Sequence, residues 1–182
     1  MRNGDFAITL RAALGLIEVE DGGFDRALRI VTDARKEQQR IFFIGNGGSA
    51  AIASHMAADW SVNGKFDAWA LNDATALTCI ANDHGYESVY SLQLARHAAQ
   101  RDVLVAISSS GMSGNILDAA HYAGGGLLSV VTLTGFSPEN RLRKLGCPVN
   151  FYVPSSRYGI VETAHLAILH AILDKVVESS KE

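Results

Sequence analysis

Residues Asp102–Ala120 read DVLVAISSSGMSGNILDAA. Val103 to Ile107 is a short apolar run rich in β-branched residues, and from Asn115 the apolar residues return at helical spacing. Between them stand Ser108, Ser109, Ser110, Gly111, Met112 and Ser113, which place four hydroxyls in six positions. A buried strand feeding a helix through a loop of small residues is the repeating unit of a parallel sheet. A helix N-terminus presents backbone N–H groups without intrahelical partners, and the dipole adds partial positive charge there. Small residues let an anion approach that backbone, and the serines add donors, so the loop is read as a phosphate cradle that needs no lysine. A tight turn with a serine N-cap accounts for one serine and one glycine, not for four hydroxyls.

Working outward, Ile41–His55 (IFFIGNGGSAAIASH) repeats the design of apolar strand, small-residue turn and helix. Further short apolar runs are DAWALN from Asp67, LLSVVTLTG from Leu127 and VNFYVPS from Val149. The periodicity predicts helices over Asp5–Val19, Phe24–Gln38, the segment after Gly48, Ala74–Ala81, Ser88–Ala99, Asn115–Ala123 and Ile160–Val177. Strands alternating with helices predict an α/β fold: a three-layer α/β/α sandwich on a five-stranded parallel sheet, with two leading helices over 1–38. No linker or low-complexity tract divides the 182 residues, so one domain is expected. In open parallel sheets ligands bind beyond the carboxyl ends of the strands, which brings both small-residue loops to one edge and one ligand. Neither loop reads GxGxxG, and the serine loop lacks the GKS/T ending of a P-loop.

Bulk properties bound the partners. Apolar residues make up 48% and charged residues 19%, the profile of a compact globular chain. A net charge of -3 argues against a nucleic-acid binder, without excluding a small anion held by dipoles and hydroxyls. Cys79 and Cys147 are expected to be buried free thiols in a reducing compartment. The first residues lack the apolar core of a signal peptide, and no segment approaches the roughly 18 apolar residues of a membrane span. A cytoplasmic chain without a membrane segment is the expectation.

Four motifs carry a resemblance. Gly45–Asp59 (GNGGSAAIASHMAAD), Ile80–Gly85 (IANDHG), Ala106–Leu117 (AISSSGMSGNIL) and Glu162–His170 (ETAHLAILH) resemble the sugar isomerase domain, in its phosphoheptose isomerase branch, in unbroken order over about residues 5–178. The resemblance implies a flavodoxin-like fold and a homotetramer with active sites at subunit junctions. It implies conversion of sedoheptulose 7-phosphate to D-glycero-D-manno-heptose 7-phosphate, towards the heptose of bacterial lipopolysaccharide, and a zinc ion in several members. Carried over by position, it places substrate or phosphate contacts at Asn46, Gly47, Gly48, Asn82, Asp83, Ser108, Ser109, Ser110, Ser113 and Glu162. It places catalytic roles at Asp59 and His170, and metal ligands at His55, Asp59, Glu162 and His170. Three positions depart from the family pattern: Asp59 stands for a glutamate, Glu162 for a glutamine and Met112 for an asparagine.

The residues suit ketose–aldose chemistry, which needs a base beside the carbonyl carbon and an acid for the oxygen. His55 and Asp59, at i and i+4, share one helical face. Glu162 and His170 are eight residues apart, about 12 Å along a helix, so one ion holding both needs subunits to meet or a helix that starts late. His165 is read as a helix-packing histidine, and His84, His97 and His121 as surface or packing residues. Trp60 and Trp69 are expected in the core. A phosphosugar-binding or partner-binding protein without activity, and an isomerase of another sugar phosphate, stay open beside the phosphoheptose reading.

Overall fold

The computed structural model describes residues 22–179, Glu18–Val19, Arg11 and Gly15. The elements are β1 (Glu18–Val19), α1 (Gly23–Lys36), β2 (Arg40–Gly45), α2 (Gly48–Val62), β3 (Asp67–Ala70), α3 (Ala74–His84), α4 (Ser91–His97), β4 (Val103–Ser108), α5 (Gly114–Gly124), β5 (Ser129–Gly135), β6 (Val149–Val153) and α6 (Tyr158–Glu178). Single 3₁₀ turns lie at Tyr86–Ser88 and Arg143–Leu145.

The sheet runs β1-β6-β5-β4-β2-β3, with β2 to β6 parallel and β1 antiparallel on β6. Every residue of β4 and β6, and all but the first of β2 and β5, is buried, as strands covered on both faces must be. Alternate residues face opposite layers. Ile41, Phe43, Val105 and Leu133 pack under α1, α2 and α6, while Phe42, Ile44, Leu104 and Ala106 pack under α3, α4 and α5. The α/β/α sandwich with five parallel strands is therefore as the sequence predicts.

Local signals set the helix ends. Helix α1 buries Ala27, Val31 and Ala34 as one stripe and places Asp25 in its first turn and Arg35 and Lys36 in its last, matching the helix dipole. Helix α3 begins where the Asp73 side chain accepts from Ala76 N–H at 3.0 Å. It runs past the predicted Ala81 to His84 and stops at Gly85. The predicted helix from Ser88 resolves into the 3₁₀ turn and the shorter α4.

Three expectations are corrected. Glu18–Val19 forms an edge strand against Tyr152 and Phe151, not the end of a helix; the rest of the Asp5–Val19 helix lies outside the described residues apart from Arg11 and Gly15, both helical. Trp69 is 48% exposed on the edge strand β3, whereas Trp60 is buried. Cys79 is a free thiol but exposed, and Cys147 is partly buried.

The topology positions the site. The chain leaves β2 for β3 on one side, then returns to β4 on the other. The loops after β2 and β4 therefore diverge at the carboxyl edge, which opens a crevice at this switch point. Both small-residue loops stand on it. Among the described residues no helix is long and apolar enough to cross a membrane.

Candidate active site

A cavity of about 250 Å³ opens between the two loops, lined by Asn46, Gly47, Gly48 and Ser49 from the first and by Ser108, Ser109, Ser110 and Ser113 from the second. Ile107, Tyr158 and Glu162 complete it. Ser108 Oγ accepts from Gly111 N–H at 3.1 Å and Ser110 Oγ from Met112 N–H at 3.2 Å, so these two hydroxyls shape the loop. Ser113 holds the N-cap position of α5 without a side-chain capping bond. Ser109 is buried, and its Oγ has no hydrogen-bond partner among the described residues. An unpaired buried hydroxyl costs on the order of 1–3 kcal/mol, so Ser109 on the cavity wall takes its partner, water or ligand, from the cavity. Helices α2 and α5 both begin at this cavity and aim their positive ends at it.

Three contacts hold the loops in place. Asn46 and Asn115 exchange amide hydrogen bonds of 2.9 Å in each direction across the crevice. The Tyr86 hydroxyl donates to Asn46 Oδ1 at 3.0 Å from the 3₁₀ turn. Buried Tyr90 donates to the Gly45 carbonyl at the end of β2. Its hydroxyl is pushed up to about 12 by burial first and by neighbouring Tyr86 next, against the pull of that carbonyl, so it stays a donor. Gly111 has φ +62°, and a Cβ there would lie 2.0 Å from Asn140 Oδ1. Asn140 is buried and bonded to the Gly135 and Ser137 carbonyls and to Arg143 N–H, so it braces the serine loop from below.

A second cluster lies farther along α2 and on α6. His55, Asp59 and His170 each offer a ligand atom, all within 4.8 Å of one another. Asp59 Oδ2 stands 3.8 Å from His55 Nε2 and 3.7 Å from His170 Nδ1, and the imidazole centroids are 5.4 Å apart. Asn63 Nδ2 donates to Asp59 Oδ1 at 3.2 Å, which turns Oδ2 towards the histidines. His55 and Asp59 stand seven and eleven residues beyond Gly48, so about 10 and 16 Å along α2. Their group is solvent-accessible.

Buried His165 serves packing. Its Nε2 lies 3.1 Å from the Thr134 carbonyl, so Nε2 carries the proton, and Nδ1 has no partner among the described residues. Burial lowers its pKa to about 4, against a smaller opposing pull from that carbonyl.

The SIS domain matches residues 6–135 of this chain. The phosphoheptose isomerase of Campylobacter concisus is 35% identical over 164 residues, covering 87% of this chain and 86% of that protein. That of Akkermansia muciniphila is 35% identical over 161 residues, covering 85% and 84%. The structure of phosphoheptose isomerase from Neisseria gonorrhoeae aligns with a TM-score of 0.83 at 31% identity over 95% of both chains. This chain belongs to the SIS-domain family, in its phosphoheptose isomerase branch.

Within this SIS domain the positions marked by the family resemblance separate into three places. Asn46, Gly47, Gly48, Ser108, Ser109, Ser110, Ser113 and Glu162 line the cavity. His55, Asp59 and His170 form the second cluster, and Glu162 is not among them. Asn82 and Asp83 lie exposed at the end of α3, bonded to each other at 2.8 Å, and do not line the cavity. Tyr86, Asn115 and Asn140 escaped the sequence reading. Their contacts span 40, 69 and about 29 positions, and no local spacing announces such a meeting.

Proposed function

We propose that this chain is a phosphoheptose isomerase that converts sedoheptulose 7-phosphate to D-glycero-D-manno-heptose 7-phosphate. The observation that carries the reading is the donor-lined cavity with the unpartnered Ser109 hydroxyl on its wall. Gly47, Gly48 and the serines bind the phosphate end, and the sugar chain extends from it. The Asp59 carboxylate takes a proton from carbon 1 and returns it at carbon 2 through an enediol. His170 relays the proton between the two oxygens, and no atom is gained or lost.

His55, Asp59 and His170 supply two nitrogens and a carboxylate, a donor set that fits a catalytic zinc with an open position. Bound there, zinc supplies Lewis-acid polarisation of the sugar carbonyl. Asn63 steadies Asp59 in either role. Glu162, which stands in the cavity, is assigned to the substrate rather than to zinc.

The working form is proposed to be a homotetramer with each site shared between copies. The distance along α2 between the cradle and Asp59 supports this, because a second copy can bring its own cluster to the phosphate end. The outward stripe of α2, with Ala51, His55, Ala58 and Val62 all exposed, is apolar enough to be covered by another copy. Asn82 and Asp83, exposed and away from their own cavity, are free to serve a neighbour's. A cytoplasmic location and a place in the supply of lipopolysaccharide heptose complete the proposal.

The test is incubation of the purified protein with sedoheptulose 7-phosphate, with and without zinc, and identification of the product by NMR and mass. Formation of the aldoheptose 7-phosphate is expected. Binding of the sugar phosphate with no conversion under either condition would leave a binding protein instead.

A further inference from the structure

Among the described residues the cavity lining takes nothing from the loop between β5 and β6, residues 136–148, yet that loop grips two parts of its wall. Its first residue, Phe136, packs edge-on against cavity-lining Tyr158, with ring centroids 4.8 Å apart. Phe136 is fixed in turn: its N–H donates to the Ser155 carbonyl at 3.0 Å, and its carbonyl accepts from the Tyr152 hydroxyl at 2.8 Å. Farther along, buried Asn140 fills the space that a Cβ on Gly111 would need, with Oδ1, Cγ and its own Cβ at 2.0, 2.4 and 2.8 Å from that point. Leu142 N–H donates to the Gly111 carbonyl at 2.9 Å, while Gly111 N–H is used inside the serine loop, on the Ser108 carbonyl at 3.1 Å.

Among the described residues Asn140 makes no hydrogen bond to the serine loop. Its Nδ2 donates to the Gly135 and Ser137 carbonyls and its Oδ1 accepts from Arg143 N–H, which locks the side chain in its own loop. What it offers Gly111 is a hard surface, so the left-handed turn at φ +62° has no room to open towards it. Ser110 and Ser113 of the cavity wall stand on either side of that turn and take their places from it. Withdrawing the surface returns backbone freedom to the unliganded loop, and a ligand must then freeze it. Freezing one residue's backbone lowers affinity by about tenfold. We propose that Asn140 is a positioning residue: from outside the cavity it sets the serine loop, and through the loop the affinity for the phosphate end of the substrate. This rests on the reading of the cavity as a phosphate site.

The test is calorimetric titration with inorganic phosphate and steady-state turnover of sedoheptulose 7-phosphate, both on the full chain well below its melting temperature. Asn140→Ala removes the surface. Asn140→Ser also withdraws from Gly111 but keeps an oxygen able to accept from Arg143 N–H, and it decides alone if Asn140→Ala fails to fold. Both variants are expected to bind inorganic phosphate about tenfold more weakly than the wild type and to raise KM about tenfold, with kcat within about threefold. Val31→Ala, in the buried stripe of α1 and away from the cavity lining, loses stability by another route and should bind phosphate like the wild type. Wild-type phosphate affinity in a folded Asn140 variant, or an equal loss of affinity in Val31→Ala, overturns the inference. A fall in kcat with KM unchanged overturns it too. If the wild type binds neither compound, the cradle reading falls first and takes this inference with it.

Discussion

Asn46 and Asn115, 69 positions apart, exchange amide hydrogen bonds of 2.9 Å in both directions, so the two cradle loops behave as one body. Asn115 also accepts from Ile116 N–H at 3.0 Å, which fixes the amide at the first turn of α5. The spacing between the donors of the two loops is therefore set before any ligand arrives, which reduces the cost of ordering them on binding.

Asn115→Ala removes both cross-loop bonds and leaves Asn46 short of partners. Urea unfolding should show a loss of about 1–3 kcal/mol. Inorganic phosphate should bind about tenfold more weakly, measured by calorimetry well below the melting temperature. An unchanged phosphate affinity would reduce the pair to a packing contact.

Two glycines of the cradle should respond differently to alanine. At Gly111 a Cβ meets buried Asn140 at 2.0 Å and φ is +62°, so Gly111→Ala should cost about 2–4 kcal/mol. At Gly48 the clash is only with the end of the Glu162 side chain, which can swing away. Gly48→Ala should then stay within about 1 kcal/mol of the wild type while altering ligand affinity. Denaturant midpoints of the two variants check the contrast.

Much of this was legible in the sequence, and what was not has identifiable causes. The runs at Ile41, Val103, Ser129 and Val149 announce central strands because strands buried on both faces tolerate little else. The serines at 108–110 and 113 announce a small-residue, hydroxyl-rich loop, and all four line the cavity at the carboxyl edge. Glu18–Val19 could not be told from a helix end, since two residues carry no period and the preceding apolar spacing is helical. Trp69 misled because composition favours a buried tryptophan, whereas β3 is an edge strand with one open side. The eight-residue gap between Glu162 and His170 already implied that one helix would hold them apart, and the structure places only Glu162 at the cavity.

Acid should destabilise the chain through His165. Its pKa is lowered from 6.5 to about 4 in the folded state, so the unfolded chain binds the extra proton between these values. Stability is thus unaffected by this group above about pH 6.5 and falls as pH drops towards 4, by up to about 3 kcal/mol. Denaturant unfolding at pH 7 and pH 4.5 should reveal the loss, and His165→Gln should flatten it.

Zinc added to the metal-free protein should raise the melting temperature, because a ligand bound at one hundred times its Kd contributes about 2.7 kcal/mol. His170→Ala removes one of three donors and should abolish the shift, with the unliganded melting temperature little changed. An equal shift in His170→Ala would place the zinc elsewhere.

The most direct test separates the two clusters by their jobs. Steady-state turnover and equilibrium binding of sedoheptulose 7-phosphate should be measured for Asp59→Asn and Ser109→Ala side by side. The prediction is that Asp59→Asn lowers kcat by about 10²–10⁴-fold with Kd nearly unchanged. Ser109→Ala should weaken Kd by about tenfold with a smaller effect on kcat. An Asp59→Asn protein that turns over like the wild type would contradict the account at its centre.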